Sequence, residues 1–160
     1  MTEATNLTVQ RQVIIAAPIE RAFAVFTERF GEIKPPEHNL LGAPLAETVF
    51  ERKVGGHIYD RATDGSECHW ARVLAYEPPD RVVFSWDIGP RWQLETDLAN
   101  TSEVEVRFIA ETPHRTRVEL EHRHLDRHGP GWESLRDGVD NAEGWPLYLA
   151  RYVAMVDQDG

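Results

Sequence analysis

Two neighbouring stretches limit this chain to a narrow set of folds. From 102 to 111, Val104, Val106, Phe108 and Ala110 alternate with Glu103, Glu105 and Arg107; from 116 to 124, Val118, Leu120, His122 and His124 alternate with Arg117, Glu119, Glu121 and Arg123. Successive side chains of a strand point to opposite faces, so each stretch has one dry and one charged side. Pro113-His114 supplies the turn between them. Strands of parallel sheets are covered on both faces and lack this alternation, so the pair predicts an antiparallel sheet with one face on a core and one in water.

The remaining segments extend that sheet. Residues 7–15 read as a first strand with Leu7, Val9, Arg11, Val13 and Ile15 on one face, stopped by Ala17-Pro18. Pro18-Ile19-Glu20 opens a helix, because a proline in the first turn lacks only an amide that has no helical partner anyway. Ile19, Ala22, Phe23 and Phe26 form its apolar stripe, and Phe30-Gly31 is expected to end it. Residues 32–46, with Pro35, Pro36, Gly42 and Pro44, read as a long irregular connection. Loops of about 15 residues inside compact domains are uncommon and often functional. Strands are expected at 48–53, 57–61, 68–76 and 81–87, punctuated by Gly55-Gly56, Asp64-Gly65 and Pro78-Pro79. After Gly129-Pro130-Gly131, Trp132, Leu135 and Val139 recur at helical spacing, residues 141–144 interrupt, and Trp145, Leu149, Tyr152 and Val156 form the stripe of a last helix over 144–156. The class is α+β: one domain over residues 1–160, with six or seven antiparallel strands and helices on one face.

Composition removes several functions. The chain has 160 residues, enough to bury a core without disulfides or structural metals. The lone Cys68 cannot form an internal disulfide, and a reducing cytoplasm is the expected compartment. Seventeen Lys and Arg against 27 Asp and Glu give a net charge of −10, which disfavours nucleic acid and anionic membrane surfaces. No uncharged apolar stretch approaches the roughly 20 residues a membrane span requires. Nucleophile elbows, phosphate-binding glycine loops, dinucleotide fingerprints and paired-cysteine metal motifs are all missing, so no cofactor is expected.

Five blocks stand out in order: Ala17-Pro18 before the first helix, Arg52-Lys53-Val54-Gly55-Gly56, Glu77-Pro78-Pro79-Asp80-Arg81 running to Phe84-Ser85-Trp86, Ser102 through Phe108, and Gly144-Trp145-Pro146. With them the chain resembles the helix-grip superfamily often called SRPBCC, which includes START lipid-transfer domains and plant pathogenesis-related proteins, and more narrowly its branch named after activator homologues of a heat-shock-protein ATPase. The resemblance covers roughly residues 9 to 156. The resemblance implies a curved sheet wrapped around the last helix, with a cavity between them for an apolar or amphipathic small molecule. It departs from the pattern after Phe30-Gly31, where such relatives usually carry one or two tryptophans and this chain has Glu32, Ile33 and Lys34.

Within that frame the expected cavity walls are Trp86, Phe108, Leu120, Trp145 and Leu149, with His122 or Tyr152 as the polar contact, since pockets are mostly apolar with a few placed polar groups. His122 and His124, two apart on a strand, share a side and resemble half of a metal site. The following Leu125-Asp126-Arg127-His128 does not complete one, so no metal is expected and the imidazoles read as partly buried and bonded to neighbours. Cys68 and His69 point to opposite faces and cannot act as a pair. Glu67, Asp60 and Asp64, near a hairpin tip, read as solvated carboxylates. Trp92, between Pro90-Arg91 and an acidic loop, has no assigned place. The first functional expectation is ligand binding with no catalytic residue. The alternatives are a polyketide cyclase or aromatase using His122, His124 or Tyr152 as acid or base, and a chaperone-associated module, which would need an apolar patch away from the cavity. A homodimer or a chaperone partner stays open.

Overall fold

The computed structural model describes residues 7–159. Its strands are β1 (Val9–Ile15), β2 (Leu45–Phe50), β3 (His57–Ala62), β4 (Glu67–Glu77), β5 (Arg81–Trp86), β6 (Ser102–Thr112) and β7 (Arg115–Arg123). Its helices are α1 (Ile19–Glu28), α2 (Phe30–Ile33), α3 (Trp132–Asp140) and α4 (Trp145–Asp159). The strands form one seven-stranded antiparallel sheet in the order β1-β7-β6-β5-β4-β3-β2. The register turns the sequence alternation into apolar columns: Phe84 faces Val104, which faces His122, and Val82 faces Val106, which faces Leu120. Register shifts interrupt β2/β3, β3/β4, β4/β5 and the far end of β6/β7. Such bulges bend strands, and the sheet curves around the helices. This is the helix-grip arrangement.

The concave side is filled. Phe23 and Phe26 of α1 meet Phe108 of β6 edge-on at 5.0 and 5.8 Å, and Phe26 meets Tyr152 of α4 at 5.4 Å. The Tyr152 hydroxyl donates to the Ala22 carbonyl, so this buried ring keeps its polar atom satisfied. Leu120, Leu149 and Val156 complete the same core. On the convex side the charges interlock. Burial alone would raise the pKa of Glu105, but hydrogen bonds from Arg81, Arg107 and Arg123 outweigh it and hold the carboxylate down to about 2. No helix among the described residues is long and apolar enough to cross a membrane.

Some elements differ from the sequence reading. The second strand covers residues 45–50 rather than 48–53. Residues 51–56 fold into tight turns instead, with Lys53 N–H on the Glu51 carbonyl and Gly56 N–H on the Lys53 carbonyl. A Cβ at Gly56 would stand 2.7 Å from Cβ of Glu51, so only glycine closes that turn. The first helix ends at Glu28, and Phe30–Ile33 forms a separate turn that buries Phe30 and Ile33. His124 does not extend the last strand. Its φ of 61° turns the chain away at the end of β7, leaving His124 exposed and parted from the buried His122.

Candidate functional site

The long connection after α2, the Trp70 and Trp86 region of β4 and β5, and the junction between α3 and α4 enclose a cleft of about 730 Å³. Its apolar wall is Trp70, Trp86, Ile88 and Trp92; its polar wall includes Lys34, His38 and Tyr148, with Glu37, Asp137 and Glu143 also lining it. A smaller pocket of about 50 Å³ continues inward past Trp145 and Val139.

Trp92 arrives there on a short hairpin that prolongs β5. Ile88 bridges Leu94, Gly89 N–H donates to the Gln93 carbonyl at 2.8 Å, and Glu95 N–H donates to the Asp87 carbonyl at 2.7 Å. At its tip Trp92 adopts a φ of 58°, a conformation bulky residues seldom hold without a reason. The ring lies over Gly138 of α3, where a Cβ would stand 2.5 Å from the indole Cζ2. Glycine in a helix interior costs about 1 kcal/mol relative to alanine; here it makes room for an indole that stays 45% exposed at the cleft.

The polar wall rests on a buried ion pair. Lys34 and Asp60 meet at 3.0 Å with side chains 5% and 3% exposed. Asp60 also accepts from Thr48 Oγ1 at 2.8 Å and from Trp70 Nε1 at 3.3 Å, both on Oδ1, so each carboxylate oxygen has a partner. The expectation of a solvated Asp60 is corrected: the alternation of β3 sets it on the buried face with Ile58 and Ala62, where Lys34 meets it. Lys34 Nζ further donates to the His38 carbonyl, and Arg151 of α4 donates to the carbonyls of Glu32 and Ile33 at 3.0 and 2.8 Å. These bonds hold the proline-containing loop against the helix. His38 Nδ1 then lies 2.9 Å from the Tyr148 hydroxyl. Burial and the Lys34 charge lower the His38 pKa below 6.5, against a smaller opposing pull from Glu37 and Glu143, so the ring is neutral near pH 7. Burial also raises the Tyr148 pKa, keeping the phenol protonated.

The residues expected to form the site separate into two groups. Trp86 lines the cleft and Trp145 the inner pocket. Phe108, Leu120, Leu149 and Tyr152 lie in the packed interior instead, because the aromatic rings of α1 and α2 fill the space beneath α4. His122 is fully buried behind Trp86 and Trp145, with ring centroids at 5.5 and 5.9 Å, and bonds to Trp145 and Ser102. Among the described residues, no group of three or more His, Cys, Asp or Glu is arranged to hold a metal ion. His38, Trp70 and Tyr148 are not among the residues that the sequence singles out; Trp92 has no assigned place in it, and Lys34 stands there only as part of the departure from the family pattern. Tyr148 had a signal: it stands three residues after Trp145 and so shares its helix face. His38 had only its place in an unusually long loop.

The sequence of residues 16–157 matches the family described as Activator of Hsp90 ATPase homolog 1-like protein. Among solved structures, the chain is 38% identical to the anthrahydroquino-γ-pyrone synthase Txn09, given as complexed with SUM, over 92% of this chain and 95% of that one, with a TM-score of 0.65. It is 32% identical to CalC, a self-sacrificing resistance protein from Micromonospora echinospora, over 97% of both chains, with a TM-score of 0.67. Protein MLL2253 from Mesorhizobium loti shares the fold at 20% identity, covering 96% of this chain and 98% of that one, with a TM-score of 0.67. No curated protein matches the sequence. With the family pattern running through nearly the whole domain and the helix-grip fold beneath it, the chain belongs to the Activator of Hsp90 ATPase homolog 1-like family of the SRPBCC superfamily.

Proposed function

We propose that the protein binds an aromatic, amphipathic small molecule in the cleft between the 34–40 loop, the Trp92 hairpin and the α3–α4 junction. One observation carries this reading: three indoles and Ile88 line the same volume of about 730 Å³ as a joined His38–Tyr148 pair, within the size range of small-molecule sites. Stacking on the half-exposed Trp92 suits flat ring systems better than flexible acyl chains. Trp145 reaches the ligand through the inner pocket. Leu40 and Trp92, both exposed apolar side chains, line this cleft, so the apolar surface there serves ligand entry rather than a separate protein-binding face. Similarity to a synthase of a polycyclic aromatic product and to a resistance protein is in keeping with a ligand of that kind. The 38% identity to the synthase favours, as a second reading, a reaction on the bound molecule.

A melting-temperature and tryptophan-fluorescence screen with emodin, quercetin and palmitate tests the proposal. A ligand that binds only the folded state adds about 2.7 kcal/mol at a hundredfold excess over Kd, a rise of several degrees. Emodin or quercetin should give that rise and quench fluorescence, and Trp92→Ala should weaken both effects. A shift with palmitate alone, undiminished in Trp92→Ala, would place binding elsewhere.

A further inference from the structure

His38 and Tyr148 meet in the cleft. Their rings are 5.5 Å apart and the bond between them spans 2.9 Å. The groups behind them are fixed. Lys34 holds the His38 backbone carbonyl while tied to Asp60, and the Tyr148 ring packs on Trp145 at 5.2 Å and Phe30 at 6.4 Å. Such support is what holds a reactive pair in one geometry. The charged groups acting on His38 are Lys34 and Arg151 on one side and Glu37 and Glu143 on the other.

We infer that His38 and Tyr148 form a proton-transfer pair acting on an enolisable ketone of the bound aromatic molecule, an inference that rests on the cleft being the ligand site. When His38 Nδ1–H donates to the Tyr148 oxygen, the phenol O–H is free to donate to the ligand carbonyl, and the lone pair on Nε2 takes a proton from the adjacent carbon. The C–H electron pair becomes the C=C bond, and the carbonyl π pair moves onto oxygen, giving an enolate held by the phenol. The imidazolium returns its proton to oxygen, leaving the enol, or to carbon, restoring the ketone. Nothing is oxidised or reduced, and both residues end as they began. A neutral imidazole and a protonated phenol are the forms this step needs. The cleft also sets the charge of the ketone. Among the lining residues the one cationic side chain, Lys34, is committed to Asp60, whereas Glu37, Asp137 and Glu143 are acidic. Phosphate-bearing or carboxylate-bearing substrates meet repulsion there, and an uncharged or cationic ketone does not.

The probe is 2-tetralone, an uncharged bicyclic ketone, in deuterated buffer. Proton NMR follows loss of its C1 hydrogens, and tryptophan quenching follows its binding. The wild-type protein should exchange deuterium faster than buffer alone, with a rate that falls as pH drops through a pKa below 6.5. His38→Gln and Tyr148→Phe should each lower the excess rate about a hundredfold while quenching persists. Quenching without exchange overturns the proton-transfer pair and leaves the ligand site standing, whereas the absence of both overturns the two together. Full exchange in His38→Gln and Tyr148→Phe removes the role from these residues.

Discussion

The indole N–H of Trp145 donates to Nδ1 of His122 over 3.1 Å, and that bond sets the protonation of a buried chain of side chains. With Nδ1 accepting, the neutral imidazole carries its proton on Nε2 and donates to Ser102 Oγ at 2.7 Å. Ser102 in turn donates its hydroxyl proton to His128 Nε2, also at 2.7 Å. His128 is left with a buried Nδ1–H that has no partner among the described residues. The three bonds form together only while both rings are neutral. Burial, with a smaller contribution from His128, lowers the His122 pKa to about 3; burial lowers that of His128 as well.

Stability should therefore fall on acidification from 6.5 downward. Above the unfolded value of 6.5 neither state is protonated and the full stability is present. Below it the unfolded chain takes up protons that the folded His122 refuses until about pH 3. The slope approaches about 1.4 kcal/mol per pH unit for each such histidine. Glu105 acts in a lower window, with stability present above 4.5 and lost as pH falls toward about 2. Urea unfolding across this range should show the first decline clearly in the wild type and flattened in His122→Gln. An equal slope in both would remove His122 as the cause.

Lys34→Met should cost about 3–5 kcal/mol, the usual penalty for leaving one member of a buried ion pair alone. Adding Asp60→Asn removes the orphaned charge and keeps an acceptor for Thr48 and Trp70, so the double variant should recover part of the loss. Denaturant midpoints decide it; a double variant less stable than Lys34→Met contradicts the burial of this pair.

Gly138→Ala sets two effects against each other. Helix propensity favours alanine by about 1 kcal/mol, while the new methyl collides with the Trp92 ring, which is half-exposed and free to swing out. The expected outcome is little change in melting temperature with weaker ligand binding and altered Trp92 fluorescence. Unchanged binding would mean that the position of Trp92 does not matter to the cleft.

Leu149→Ala should destabilise by about 2–5 kcal/mol, since Leu149 is 3% exposed within the core. A loss below about 0.5 kcal/mol, the range of surface substitutions, would show that the α4 stripe is not packed.

That stripe, and the alternation of β6 and β7, were legible in the sequence because burial on one face imposes a period that local residues cannot hide. The site was less legible. Trp86 and Trp145 stood out as bulky residues on core faces, but periodicity does not tell a packed ring from one that borders a cleft. Phe108 and Tyr152 looked equally fit for a wall, but Phe23 and Phe26 of α1 pack against them. Lys34, His38 and Trp92 sit on irregular segments, where position depends on long-range contacts with Asp60, Tyr148 and Gly138 rather than on any local period.

The cleft itself is tested most directly by titrating emodin into uniformly ¹⁵N-labelled protein and following the indole N–H resonances of its five tryptophans. Trp86 and Trp92 line the cleft and Trp132 does not. The account predicts that the Trp86 and Trp92 signals move with saturation while Trp132 stays in place. Unmoved Trp86 and Trp92 signals at emodin concentrations that raise the melting temperature would contradict it.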